Sequence, residues 1–134
     1  MESARMKLGK MGEDKACEYL EGLGHTIIER NWRSGHLETD IISLASDGIH
    51  FVEVKSRVAP VSADPEENVG YAKQKKLTAG ALKYLHSKEN KGKFSDAEVF
   101  FDVISLIFEG ESVNVRYFLR HPDSVLQDNQ NHHT

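Results

Sequence analysis

Leu37-Glu-Thr-Asp40-Ile-Ile-Ser-Leu-Ala45, Ser46-Asp47-Gly48 and Ile49-His-Phe-Val-Glu53-Val-Lys55-Ser56 form one continuous stretch whose reading decides the fold. Two runs rich in Ile, Val, Leu and Phe flank Asp-Gly, which is the strongest short-range signal for a β-hairpin. Side chains alternate between the two faces of a strand. Glu38, Asp40, Ile42 and Leu44 therefore share one face of the first strand, and Ile49, Phe51, Glu53 and Lys55 share one face of the second. With Asp47-Gly48 as a two-residue turn, Leu44 is expected opposite Phe51, Ile42 opposite Glu53, Asp40 opposite Lys55 and Glu38 opposite Arg57. Asp40 is then diagonal to Glu53, with Cα atoms about 7–8 Å apart.

Outward from this hairpin the chain reads as alternating helix and strand. Residues 4–23 carry Gly12, Ala16, Tyr19, Leu20 and Leu23 at helical spacing, and Gly22 and Gly24 end the helix. Thr26–Arg30 is a short strand, and Arg57–Asn68, with Pro60 and Pro65, is a loop. Tyr71–Ser87 is a second helix with Gln74, Leu77, Ala81, Tyr84 and Leu85 on one side, followed by a polar break over Lys88–Lys93. Val99–Ile107 and Val113–Leu119 form a second hairpin around Glu109-Gly110, and Pro122 opens a last helical turn. The expected order is helix-strand-strand-strand-helix-strand-strand, an α/β chain with a mixed sheet. A single domain spans residues 1–126, with a flexible tail over 127–134.

Composition narrows the class. The 134 residues are 39% hydrophobic and 28% charged, which excludes a disordered or collagen-like chain, and the single cysteine excludes an internal disulfide. No apolar run follows the basic N-terminus, and the longest apolar stretch, Val103–Phe108, is too short for a bilayer. A cytoplasmic protein without a membrane partner is expected. The net charge of −4 is unevenly spread. Residues 55–93 hold 9 basic and 4 acidic side chains, between flanks where acids dominate. That middle segment is either a phosphate-attracting surface or a solvated, lysine-rich helix face.

The acids on the central hairpin carry the chemistry. A face that also holds Leu44 and Phe51 must be covered, and the first helix is the candidate cover. Lys55 alone does not balance Glu38, Asp40 and Glu53, so a divalent cation with hard oxygen ligands, Mg²⁺ or Mn²⁺, completes the charge balance. The alternative is a structural cross-strand ion pair. Acid-any-Lys occurs three times, at Glu13, Glu53 and Glu89, but only Glu53-Val54-Lys55 lies on a strand, where alternate residues converge. Glu13 borders the apolar stripe of the first helix and either joins this face or stays solvated in the first turns.

At these residues the chain resembles the PD-(D/E)XK signature of restriction-endonuclease-like nucleases. More fully, it is similar to the YraN-like family of bacterial proteins. The resemblance rests on Gly9-Lys-Met-Gly-Glu13, Ala16 with Tyr19-Leu20, Asn31-Trp32-Arg33, Glu38-Thr-Asp40, Phe51-Val-Glu-Val-Lys-Ser-Arg57, Lys73-Gln74 with Leu77, and Phe101-Asp102-Val103. One departure is Leu37, where the family usually has glycine. The resemblance implies a restriction-endonuclease-like core and a Mg²⁺-dependent nuclease acting on DNA, with Asp40 and Glu53 on the metal and Lys55 assisting the nucleophile. It further implies Glu13 as an additional acidic ligand, and Glu38 as an acid typical of the family. Arg33, Arg57, Lys73 and Lys76 are candidates to grip phosphates, with Gln74 beside them. The alternatives are a catalytically silent nucleic-acid-binding module of the same fold, or a protein-interaction domain using the acidic C-terminal third. Among the remaining residues, Cys17 is expected in the core and Trp32 against the sheet edge, with stacking on a base as its alternative. The histidines show no metal-ligand spacing.

Overall fold

Ser3 starts the first helix, α1 (Ala4–Gly22), by accepting the Met6 N–H on its Oγ at 3.1 Å. Gly24 ends it. At φ 97° it adopts the left-handed conformation, its N–H reaches the Glu21 carbonyl, and the His25 N–H reaches that of Leu20, both at 3.0 Å. The strands that follow are β1 (Thr26–Ser34), β2 (Leu37–Ala45) and β3 (Gly48–Val58); then come α2 (Tyr71–Leu85), β4 (Val99–Glu109) and β5 (Ser112–Arg120). The computed structural model describes residues 2–61 and 71–120, without the side chains of 71–74, 119 and 120. The expected turn at Pro122 and tail over 127–134 lie outside the described residues. No helix among the described residues is long and apolar enough to cross a membrane.

The five strands form one mixed sheet in the order β1-β2-β3-β4-β5, antiparallel throughout except for the parallel pair β3–β4. The expectation of an α/β chain with a mixed sheet is met at that level. A parallel pair needs a crossover, and α2 lies within it. Each helix then takes one face. Ala16, Cys17 and Leu20 of α1 pack on Ile41, Val52, Ile104 and Leu106, while Ala81 and Tyr84 of α2 pack on Ile42, Ile49, Phe51 and Phe101. Covering both faces explains why β3 and β4 are apolar on alternate and intervening positions alike. Cys17 lies in the core, and Trp32 packs on Tyr84 with ring centroids 5.4 Å apart.

β1 runs to Ser34, past its expected end at Arg30, and two further details differ from expectation. The hairpin pairs Ala45 with Gly48, Leu44 with Ile49 and Ile42 with Phe51, so Ser46-Asp47 form the turn and the register lies two residues from that expected. Gly48 is drawn into the ladder because the start of β4 passes against it. Its φ is 148°, Ile49 N–H donates to the Glu98 carbonyl at 2.8 Å, and a Cβ on Gly48 would sit 2.2 Å from that same oxygen. The glycine serves this close approach instead of the turn. The second difference is the cover. The face of Phe51 lies under α2, not α1, since the crossover helix occupies it.

α1 comes close to β3 at Gly12, where a Cβ would lie 1.6 Å from Ser56 Oγ and 2.9 Å from Ser56 Cβ. At the other end of β3 a polar cluster is buried beneath the same face. His50 bonds Asp102 Oδ2 through Nδ1 at 2.6 Å and Asp47 Oδ1 through Nε2 at 2.7 Å, and Tyr117 donates its hydroxyl to Asp102. His50 stacks on Phe100, and the His25 ring lies 4.5 Å away, its Nδ1 2.9 Å from Ser43 Oγ. Burial opposes a charge on His50, but the bonds to Asp102 and Asp47 outweigh it and raise its pKa above 6.5. Burial and the neighbouring His50 lower that of His25.

Two measurements check this packing. Gly12→Ala is expected to lower the unfolding free energy by about 1–3 kcal/mol in urea, less the helix-propensity gain of alanine, with Ser56→Gly restoring part of the loss. Asp102→Asn is expected to destabilise by about 3–5 kcal/mol, because it leaves His50 without its buried counter-charge. A raised histidine pKa adds stability that is complete below 6.5 and is lost as pH climbs through the raised value. The gap between wild type and Asp102→Asn in urea melts should therefore narrow over that rise.

Candidate functional site

Residues two apart on a regular strand share a face, and between β1 and β2 this rule fails at the bulge between Ile27 and Glu29 and again beside Asp40. Arg30 pairs with Ile41 and both belong to the α1 face, where Arg30 meets Glu13 and Asp14. Trp32 pairs with Thr39 and both face α2, with Thr39 Oγ1 3.6 Å from where a Cβ on Gly80 would stand. The phase break falls on Asn31 and Asp40. Asn31 has φ 53°, a left-handed conformation that asparagine tolerates better than most residues.

The break turns Asp40 into the gap between β2 and β3, where the paired ladder has ended at Ile41–Val52. Its Oδ2 accepts the Val54 N–H at 2.8 Å. Carried one residue further, the register brings Glu53 level with Asp40, in place of the expected Lys55. The shift of two residues preserves parity, so Glu53 keeps its face. Asp40 and Glu53 line a cleft of about 420 Å³ under α2, with Glu38, Lys76 and Leu77. Asp40 also borders a hollow of about 470 Å³ under the start of α1, with Glu13, Asn31, Arg33 and Val54.

Asp40 is an energetically unfavourable carboxylate. Burial raises its pKa, the Val54 N–H opposes this, and Glu53, Glu38 and Glu13 raise it again, to about 6. Glu53 is only 9% exposed. Asp40 and Glu53 are thus brought together as the sequence implied. Glu13 is drawn elsewhere, accepting from Arg30 Nε at 2.9 Å and Asn31 Nδ2 at 3.0 Å. Glu38 is exposed and lies 3.4 Å from Arg33. Among the described residues, no three His, Cys, Asp or Glu side chains form a group able to hold a metal ion.

Lys55 lies one strand repeat beyond Glu53, half-buried and in register with Ser105 of β4. Of the expected phosphate contacts, Lys76 lines the cleft, Arg33 lines the hollow, and Arg57 is half-buried further along β3. The side chains of Lys73 and Gln74 lie outside the described residues. Three contributors escaped the sequence reading. Arg30 and Asn31 engage Glu13, and the Thr39 hydroxyl is buried beside the cleft with no hydrogen-bond partner among the described residues. Asn31 falls inside β1 only because that strand outruns its expected end at Arg30, and Asn is depleted in strands and enriched at positive φ.

Asp40→Asn tests the electrostatics. The amide can still accept from Val54 but carries no charge. A carboxyl with a raised folded-state pKa makes the wild type lose stability as pH rises from 3.8 to about 6. Asp40→Asn is therefore expected to melt at a higher temperature than wild type at pH 8, with the difference shrinking toward pH 4.

The sequence pattern described as "Uncharacterised protein family UPF0102" matches residues 12–106. A UPF0102 protein of Desulforapulum autotrophicum is 36% identical over 115 residues, covering 86% of this chain and 92% of the relative. One of Desulforamulus reducens is 41% identical over 112 residues, covering 83% and 89%. One of Persephonella marina is 42% identical over 99 residues, covering 74% and 82%. The YraN-like resemblance points to the same family. The matched residues include Glu13, Asp40, Glu53 and Lys55, and the chain belongs to the UPF0102 family.

Proposed function

We propose that the cleft bordered by Asp40 and Glu53 hydrolyses phosphodiester bonds in DNA, in the cytoplasm, within a restriction-endonuclease-like core. The observation that carries this reading is the state of Asp40. Its carboxyl is half-buried beside Glu53, with Glu38 and Glu13 nearby, so that its charged form is penalised. A fold that keeps such a pair open to a cleft favours a ligand that neutralises it. Mg²⁺, or Mn²⁺, fits this donor set. Mg²⁺ is commonly held by one or two carboxylates, with water and phosphate oxygens completing its shell. Asp40 and Glu53 would hold it, while Glu13 and Glu38 stand nearby on Arg30 and Arg33. When bound, such an ion lowers the pKa of a water ligand and stabilises charge on the phosphate.

The chain's own groups do the rest. The Val54 amide fixes one Asp40 oxygen. Lys55, on the strand that carries Glu53, lends an ammonium that orients the attacking water and offsets charge developing on the phosphate. Lys76 and Arg33 grip flanking phosphates from the two sides of Asp40, with Arg57, Lys73 and Gln74 as further candidates. The second reading, a catalytically silent nucleic-acid-binding module, is favoured by the absence of a third acid from the pair among the described residues.

One experiment separates them. Mg²⁺ is titrated against wild type, Asp40→Ala and Glu53→Ala while thermal stability is followed. The same proteins are then offered single-stranded, duplex, flap and four-way-junction DNA. Wild type should gain about 2.7 kcal/mol at a metal concentration one hundred times Kd, and both variants should lose that gain together with cleavage. Salt-sensitive DNA binding without a metal effect would leave the silent module. Cleavage surviving equally in both variants would remove the carboxylates from the chemistry.

A further inference from the structure

Arg33 lines a second hollow besides the one it shares with Asp40, and this second hollow has a different character. It measures about 560 Å³ and lies between β1 and the end of α2. At its base lie the half-buried Trp32 and the buried Tyr84. Trp32 and Tyr84 meet edge to face, and Tyr84 is anchored by its hydroxyl donating to Glu29 at 3.3 Å. Its far wall is the start of the segment after α2, tied down where Ser87 Oγ and Asn90 Nδ2 both donate to the Tyr84 carbonyl, at 2.9 and 3.1 Å. Its lining carries the cations Arg33 and Lys83, the neutral His86 and the acids Glu29 and Glu89. Residues 83–93 hold four lysines and a single glutamate in a chain whose net charge is −4. Basic charge is therefore concentrated beside this hollow.

The half-buried indole of Trp32, in a hollow that also presents Arg33 and Lys83, suits an unpaired base with its phosphates, because every base has a stacking face and every nucleotide a negative charge. Duplex DNA keeps its bases stacked inside and does not offer one to such a hollow. Continuity with the cleft supplies the direction. From the hollow, Arg33 leads to the space bordered by Asp40, and Asp40 leads to the cleft with Glu53 and Lys76. We infer that the Trp32–Tyr84 hollow binds an unpaired nucleotide of the strand that occupies the cleft, with Arg33 and Lys83 on its flanking phosphates. This deepens the nuclease proposal and rests on it for the placement of the strand, and it makes nucleic acid with a single-stranded segment the substrate class.

Trp32 is the only tryptophan of the chain, so its fluorescence reports on this hollow alone. A short single-stranded oligonucleotide is titrated into wild type, Lys83→Ala and Lys7→Ala in chelator, at several salt concentrations. Lys83 and Lys7 are both exposed, and Lys7 lies on α1. The single strand should quench Trp32 in all three proteins. The slope of log affinity against log salt should fall by about 1 in Lys83→Ala and stay at the wild-type value in Lys7→Ala. A blunt duplex of the same sequence should leave the fluorescence unchanged. Absence of quenching, equal quenching by the duplex, or an unchanged slope in Lys83→Ala each overturns the inference. The chelator keeps this readout separate from the metal test at Asp40 and Glu53. Quenching without any metal-dependent stabilisation removes the nuclease reading alone. Metal-dependent stabilisation without quenching removes this subsite alone.

Discussion

One hydrogen bond organises the candidate site, the 2.8 Å contact from the Val54 amide to the Asp40 carboxylate. A backbone amide of β3 that would otherwise continue the ladder to β2 is given to a side chain, so the two strands separate at that point. Separation exposes a gap, and the gap brings Asp40 beside Glu53. The phase break at Asn31 and Asp40 is the geometric condition for this, because on a regular strand Asp40 would point to one face and not into the plane of the sheet. The placing of Asp40 beside Glu53 follows from this local departure, the second in the β1–β2 pair after the bulge between Ile27 and Glu29.

That defect marks the boundary of what the sequence makes legible. Element order and the mixed sheet follow from apolar runs and turn residues, because those signals are local. The relation between Asp40 and Glu53 is readable for a subtler reason. A hairpin misplaced by two residues keeps every side chain on its own face, whereas an error of one would reverse all of them. The partner across from Asp40 is not protected in this way, and so Lys55 gives way to Glu53. What misleads at Gly48 is that a glycine answers to whatever backbone comes closest. Here that is the Glu98 carbonyl from a strand fifty residues on, and no local pattern announces it.

The assignment of faces is illegible for a similar reason. Whether α1 or α2 covers Phe51 depends on which strand β4 joins, and two segments with mixed apolar content leave that open. The parallel β3–β4 pair settles it, since α2 lies within their connection. Glu13 illustrates the consequence. From the α1 side it approaches Asp40 only because Asp40 lies edge-on between the two faces, and Arg30 and Asn31 engage it first. Trp32 and Cys17 conform to their expected surroundings because bulk apolar burial is insensitive to such choices.

The two ends of β3 bear on what the carboxylates are for. At its start, Asp102 is buried among His50 and Tyr117, and His50 also reaches Asp47; the acids there share a histidine whose pKa they raise. Toward its other end Asp40 is half-buried among Glu53, Glu38 and Glu13, and the result is a carboxyl displaced to about 6. The same strand therefore holds acids in two opposite electrostatic conditions. Burial of charge alone does not explain the difference, since the His50 cluster is at least as buried and is neutralised from within. Neutralisation by a side chain is evidently open to this fold. Near Asp40 the cations Arg30 and Arg33 go instead to Glu13 and Glu38. Lys76 lines the same cleft, and under the proposed function a bound cation would relieve the penalty that Asp40 still bears.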